Sequence, residues 1–467
     1  MFGYERAMSD LGLRAISVVG LAAMVFFAWL LSYDRKAFPW RIVLIGTAMQ
    51  LTFGVIVLRT DIGFWFFSVL NDGVTRLLTF TDVGSEFLFG DYLHDHFTIA
   101  LNVLPTIIFF SSLMTVLYHL GVMQRIVLGI AWVMQRTLKT SGAETLAAAA
   151  NIFVGQTEAP LVVKPFVGDM TKSELMAVMV GGFGSVAGGV MAAYVGMLHN
   201  DFPNIAGHLL SASVLSAPAG LLMAKVLLPE AEVPRSHASL ELDAKSPYEN
   251  VIDAAATGAA DGLKLALNVA AMLLAFMALV ALLNWLFAVP AMLHNRAVWD
   301  EVLGSIGQRP IPEGCVRTLD ASPLAACIGQ ANELDLGTHF VAWEPWTMQR
   351  ILGVISWPMA FLMGVPVEDC DAVARLLSER LVLNEFVAYL GLAENLNGAH
   401  PMSERASTIV AYALCGFANF SSIAIQIGGI GALAPERRGD LARLGLRAMI
   451  GGMLATYMTA CVAGILA

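Results

Sequence analysis

The stretch 145–166, TLAAAANIFVGQTEAPLVVKPF, decides how this chain is read. Both of its ends are apolar, yet its middle holds Gly155, Gln156, Thr157, Glu158 and Pro160. A charged side chain at the centre of a membrane helix costs at least ~2.5 kcal/mol, so such a group faces protein or water rather than lipid. Irregular backbone at that depth is tolerated only where protein or a wet cavity satisfies its amides and carbonyls. The stretch therefore reads as a re-entrant hairpin. A second stretch, 372–392, is broken in the same way by Asn384 and Glu385 within LVLNEFVAYL.

The chain around these stretches has the composition of a membrane protein. Of its 467 residues, 57% are hydrophobic and only 14% charged, where a soluble domain has roughly a quarter charged. A soluble enzyme is excluded. Mean hydropathy is +0.69, and the apolar runs approach the ~20 residues a helix needs to cross a hydrocarbon core. Spans are expected at about 11–31, 41–58, 97–123, 173–197, 205–227, 263–289, 406–433 and 444–466. The first lacks the basic flank and cleavage site of a signal peptide and reads as a retained span. Segments 61–95 and 345–366 read as interfacial helices. Arg35, Lys36 and Arg41, then Arg125, Arg136 and Lys139, then Arg235 and Lys245, then Arg437, Arg438 and Arg443 fall on one side of this topology. The positive-inside rule makes that side cytoplasmic and puts both termini outside. A net charge of −10 offers no surface for a polyanion, so nucleic acid is not an expected partner.

The same count makes the two hairpins enter from opposite sides. Each precedes a glycine-rich span, GGFGSVAGGV at 181–190 and CGFANFSSIAIQIGGIG at 415–431. The expected fold is an all-α polytopic membrane protein of about eight transmembrane helices plus two opposed re-entrant hairpins. Its hairpin and broken helix recur as an inverted repeat, a pattern that places a substrate site near the bilayer midplane. The chain divides into scaffold spans at 1–142, a first transport repeat at 143–228, a connector and long span at 229–289, a polar external insertion at 290–343 and a second transport repeat at 344–467. In an oxidising compartment Cys315 and Cys327 of the insertion could form a disulfide; two reduced thiols are the alternative. The histidines show no zinc-ligand spacing.

Three runs, GQTEAP in the first hairpin, NEFVAY at 384–389 and GFANFSSIAIQIGG at 416–429, resemble the concentrative nucleoside transporters, the sodium- or proton-coupled nucleoside symporters. The family's longer signature has Gly or Ala, then Lys, upstream of NEFVA, where this chain has Ser378 and Arg380. The resemblance implies a secondary active symporter working by alternating access, with no enzymatic activity and no cofactor. It implies a nucleobase subsite of Gly155, Gln156, Thr157, Glu158 and Val190, and a ribose side of Glu385, Asn419 and Ser422 with Phe417 packed on the nucleoside. The chemistry is apt, because an amide both donates and accepts and a carboxylate can accept from two vicinal hydroxyls. The sodium site of the family corresponds to the side chains of Asn151 and Ser185 with the carbonyls of Val154 and Val186. Both polar side chains are present, which favours sodium over protons as the coupling ion. By the same likeness the protein is expected to be a homotrimer, and the compact chain without long termini gives a bacterial inner membrane as its expected location.

Blander readings stand beside these. A lone intramembrane Gln or Ser ordinarily glues helices together, as Gln156 and Ser422 would do. Glu158 and Glu385 need buried basic partners if they are structural, and Lys164 and Arg380 are the candidates. Proton-coupled symport, a nucleoside-sensing gate without uphill transport, and a membrane hydrolase using the two glutamates are the competing functions.

Overall fold

The computed structural model describes residues 10–90, 100–101, 104–234, 248–306, 326–328, 330, 332 and 341–467. Among the described residues regular structure is helical, with no strand. Among the described residues six helices are long and apolar enough to cross a bilayer: Asp10–Leu30, Trp40–Arg59, Lys172–Leu198, Ile205–Leu227, Met277–Leu303 and Pro435–Leu466. Leu104–His119 supplies a further apolar span, and Val122–Leu138 leaves it at a bend of 77°. The interrupted pair Glu404–Leu414 and Phe420–Leu433 brings the count to the eight expected from sequence.

The hairpin followed by a broken helix occurs twice. The first hairpin runs through Gly142–Ala150, a tip at 151–158, and the short helices Ala159–Val162 and Lys164–Val167; the helix after it is split into Lys172–Phe183 and Gly188–Leu198. The second hairpin pairs Cys370–Val382 with Glu385–Leu396, and its broken helix is the Glu404–Leu414 and Phe420–Leu433 pair. Local sequence sets each start. Ser141 with Glu144, and Thr171 with Glu174, form capping boxes that satisfy the first free amides of their helices. In the second repeat Asn384 accepts from the Val387 N–H at 3.0 Å and Asn419 from the Ser422 N–H at 2.9 Å, so each half-helix begins on an asparagine cap.

Two units are distinguished, Met1–Ala271 with Ser356–Ala467, and Met272–Ile355. The first holds both hairpins and both broken helices, and Lys172–Phe183, Glu404–Leu414 and Phe420–Leu433 of the broken helices pack on the long Arg438–Leu466 helix. Small residues let its backbones approach closely, as helix pairs in lipid require. A Cβ on Gly416 would lie 2.7 Å from the Phe183 carbonyl oxygen, and the Phe417 N–H donates to the Ser185 carbonyl at 3.3 Å. The two helix breaks therefore touch. In the second unit Asn284 donates to Gln349 at 3.0 Å and accepts from the Met348 N–H at 2.8 Å. Asn295 exchanges a pair of hydrogen bonds with the Trp343 backbone, and the His294 ring stacks on Trp343 at 4.0 Å.

Some boundaries differ from the sequence reading. The third span ends at His119 rather than near 123, because Gly121 adopts φ 74°, a turn open to glycine, and sends the chain off along Val122–Leu138. The span expected to end near 289 belongs to one helix, Val251–Ile306, that runs on through Pro290. A proline removes one ladder hydrogen bond and the helix can resume beyond it. Residues 61–95 contain the helix Asp61–Phe89, opened by Thr60, which accepts from the Gly63 N–H at 3.1 Å. Met348–Leu362, at 15 residues, is too short to cross. Most of the insertion, Cys315 included, lies outside the described residues; Cys327 is disulfide-bonded.

Candidate functional site

Where the hairpins meet the broken helices, four side chains singled out from sequence form one connected chain. The Asn419 amide donates to Glu385 Oε2 at 3.1 Å. Asn419 Oδ1 in turn accepts from the Ser422 N–H, and Ser422 Oγ accepts from Gln156 Nε2 at 3.1 Å. The members come from the second hairpin, the second broken helix and the first hairpin, so the repeats meet through side chains that a single helix could not supply. All four are at most 6% exposed. Buried polar groups of this kind are costly unless hydrogen-bonded, and here each has a partner.

Two further residues complete the chain and were not singled out from sequence. Tyr194, on the Gly188–Leu198 half-helix, donates its hydroxyl to Glu385 Oε1 at 2.9 Å and stacks on Tyr389 at 4.4 Å. Gln426 donates from Nε2 to Gln156 Oε1 and to the Met179 carbonyl, both at 3.1 Å. A signal for Gln426 existed: it lies four residues after Ser422, hence on the same helix face. No comparable signal marked Tyr194, whose partner is 191 positions away.

The remaining residues of the nucleobase set line the first hairpin tip and its neighbour. Glu158 is exposed at the tip, and its carboxylate folds over Gly155, occupying the space a Cβ there would need. Thr157 packs against Gly429, with Cγ2 3.0 Å from where a Cβ would stand. Val190 is buried on its half-helix, and Phe417 is half-buried within the second break. Glu158, Thr157, Val190 and Phe417 make no side-chain hydrogen bond to the four-residue chain among the described residues.

Neither glutamate is held by the basic partner considered for it. Lys164 is exposed. Arg380, 1% exposed, instead donates to the carbonyls of Ala413 and Gly416, the latter at 3.2 Å, and to Thr456 Oγ1 at 2.9 Å. It thereby satisfies the carbonyls freed where Glu404–Leu414 ends and places positive charge at the negative end of that helix.

The cation set gathers beside the first break. Asn151 is 2% exposed, and neither its Oδ1 nor its Nδ2 has a hydrogen-bond partner. Its amide lies over Gly181, 3.0 Å from where a Cβ would stand, and Ser185 Oγ donates to the Gly181 carbonyl at 2.9 Å. Val186 is buried and Val154 half-buried. The unpartnered, buried Asn151 amide therefore shares Gly181 as a neighbour with the Ser185 hydroxyl, and amide and hydroxyl oxygens are ligands of the kind a hard cation such as sodium takes. No cluster of three His, Cys, Asp or Glu suited to a transition metal occurs among the described residues.

A helical membrane protein with paired interruptions around an enclosed polar chain is the architecture of a secondary transporter, and comparison with known proteins narrows the class. Residues 208–464 match the family model "Na+ dependent nucleoside transporter C-terminus", residues 19–92 its N-terminal counterpart, and residues 100–200 a "Nucleoside recognition" model. Solute carrier family 28 member 3 of Eptatretus stoutii is 38% identical over 97% of this chain, which spans 60% of that protein's length. Sodium/nucleoside cotransporter 1 of Mus musculus is 38% identical, with 97% of this chain and 64% of the relative covered. An uncharacterised transporter of Haemophilus influenzae is 40% identical, with 96% and 97% covered. Among solved structures, CNTnw in an inward-facing substrate-bound state is 38% identical with a TM-score of 0.79, covering 97% of this chain and 98% of that one. A doubly substituted CNTnw in an outward-facing state reaches 0.81 at 37% identity, covering 98% and 99%. The chain belongs to the concentrative nucleoside transporter family.

Proposed function

We propose that this protein imports nucleosides across a bacterial inner membrane by symport with a cation, sodium in our reading. The observation that carries the proposal is the continuous chain Glu385–Asn419–Ser422–Gln156. Its Glu385 end keeps lone pairs free to accept from vicinal ribose hydroxyls, and its Gln156 end keeps an amide hydrogen for a nucleobase. Gly155, Thr157, Glu158 and Val190 border the base and Phe417 packs on the nucleoside. The Asn151 site, with Ser185 and the carbonyls of Val154 and Val186, takes the sodium ion as co-substrate. Its unpartnered amide supports a cation there over protonation, since an amide does not titrate in the physiological range.

Binding at the two places is coupled. Asn151 is the C-cap of the first helix of the hairpin whose tip carries Gln156, so a cation that orders this corner lowers the ordering cost of nucleoside docking. Linkage then requires each ligand to tighten the other. Alternating access moves the hairpin-bearing elements against the remaining spans, as interrupted-helix transporters do. Both termini lie outside and the assembly is a homotrimer in the bilayer. Exposed apolar side chains on the long helix, such as Leu274, Met277, Leu282 and Trp285, supply a face for lipid or a second copy.

The test is radiolabelled uridine uptake into proteoliposomes with sodium and proton gradients imposed separately. Accumulation driven by inward sodium alone is the expected result. Accumulation driven by protons alone would replace the coupling ion, and binding without any uptake would make the protein a nucleoside-sensing gate.

A further inference from the structure

Gln156 is tied at both ends of its amide, and the ties have a direction. Gln426 Nε2 lies 3.1 Å from the Met179 carbonyl oxygen and 3.1 Å from Gln156 Oε1. A backbone carbonyl can only accept, so the group that Gln426 turns toward it must be its NH2. The second hydrogen of that NH2 then points at Gln156, which must answer with its oxygen. Gln156 is left with Nε2 toward Ser422 and the chamber. Turning either amide over would set two acceptors or two donors face to face. Space for the pair is provided at Gly182, where a Cβ would come within 2.8 Å of Gln426 Nε2 and 3.0 Å of Gln156 Cβ. Gln426 is fully buried, so water does not compete for these bonds.

We propose that Gln426 is a positioning residue that fixes the hydrogen-bond polarity of the nucleobase subsite. Through it, Gln156 presents an N–H donor to the base, and the subsite selects bases that offer a carbonyl oxygen. The inference rests on the nucleoside reading above. The polarity originates in a main-chain atom, the Met179 carbonyl, which no side-chain substitution removes.

The test measures uptake KM for three ribosides in the full-length protein: uridine, 2′-deoxyuridine, and a benzimidazole riboside whose base has no carbonyl. Gln426→Met keeps the length of the side chain but frees the Gln156 amide to rotate. The preference for uridine over the benzimidazole riboside should fall by about fivefold to tenfold, the scale of one oriented hydrogen bond. Discrimination between uridine and 2′-deoxyuridine should stay within about twofold, because the Glu385 end is untouched. Gln426→Glu, which keeps a polar side chain at the site and loses the NH2, should weaken the same base preference and serves if the methionine variant fails to assemble. Unchanged base preference in a folded variant overturns the proposal, as does a parallel loss for all three ribosides. Misassembly of both variants overturns it too, since it would assign Gln426 to folding. Absence of nucleoside uptake by the unsubstituted protein would instead sink the nucleoside reading itself.

Discussion

Glu385 accepts from Tyr194 at one oxygen and from Asn419 at the other, so its carboxylate is held in place before any ligand arrives. Preorganised acceptors spend less on ordering when a ribose docks. Replacing it by glutamine removes the charge and converts one acceptor oxygen into a donor that faces existing donors. Glu385→Gln should reduce uridine uptake by at least about a hundredfold, on the scale of two charge-assisted hydrogen bonds. Wild-type uptake by that variant would remove Glu385 from the site. Tyr194→Phe tests the support alone: KM for uridine should rise about threefold to tenfold, as for one lost hydrogen bond, with the sodium dependence unchanged. A separate substitution addresses the cation. Asn151→Ala should raise the sodium concentration for half-maximal uptake by about tenfold, the size of one lost oxygen ligand among several. An unchanged sodium curve would argue for protons. Much at this scale was legible because membrane-embedded Glu, Asn and Gln are conspicuous against an apolar chain. Tyr194 was not, since a tyrosine among Ala, Val and Met carries no such contrast and its role is set by a contact between distant elements.

The elements are held by polar clamps at their ends. Lys225, on the Ile205–Leu227 helix, lies 2.7 Å from Glu144 and 3.1 Å from Glu230 and donates to Ser173 at 2.9 Å. Ser141 donates to Glu174 Oε1 at 2.6 Å. The base of the first hairpin, the start of the following broken helix and the end of Ile205–Leu227 are thereby joined. Removing one member of a buried ion pair leaves the other uncompensated, at a cost of about 3–5 kcal/mol. Lys225→Met should accordingly lower the unfolding temperature well below that of the unsubstituted protein, read by thermal unfolding of the purified protein in detergent. An unshifted transition would mean that the clamp does not anchor the hairpin. The interruptions themselves were readable from sequence, because Gly, Pro and polar residues in an apolar run mark where a helix cannot continue. What holds their loose ends was not readable. Arg380 suggested a counter-ion for Glu385, yet it caps the carbonyls of Ala413 and Gly416, a choice that depends on where the second break passes.

For the whole molecule, the hydropathy pattern and the repetition of hairpin and broken helix sufficed to read the class of fold, since both follow from the constraint that lipid places on unpaired backbone groups. The exact helix ends escaped that reading: a bend at Gly121 and a proline tolerated at 290 depend on tertiary surroundings rather than on local sequence. The proposed function has both repeats contributing to one site, with Gln156 from the first and Glu385, Asn419 and Ser422 from the second. Counterflow in proteoliposomes tests that most directly, by following labelled uridine drawn in against excess unlabelled uridine for the unsubstituted protein, Gln156→Ala and Glu385→Gln. Rapid exchange by the unsubstituted protein, with a severe loss in each variant, is the expected result. Exchange preserved in both variants would contradict a nucleoside site shared between the two repeats.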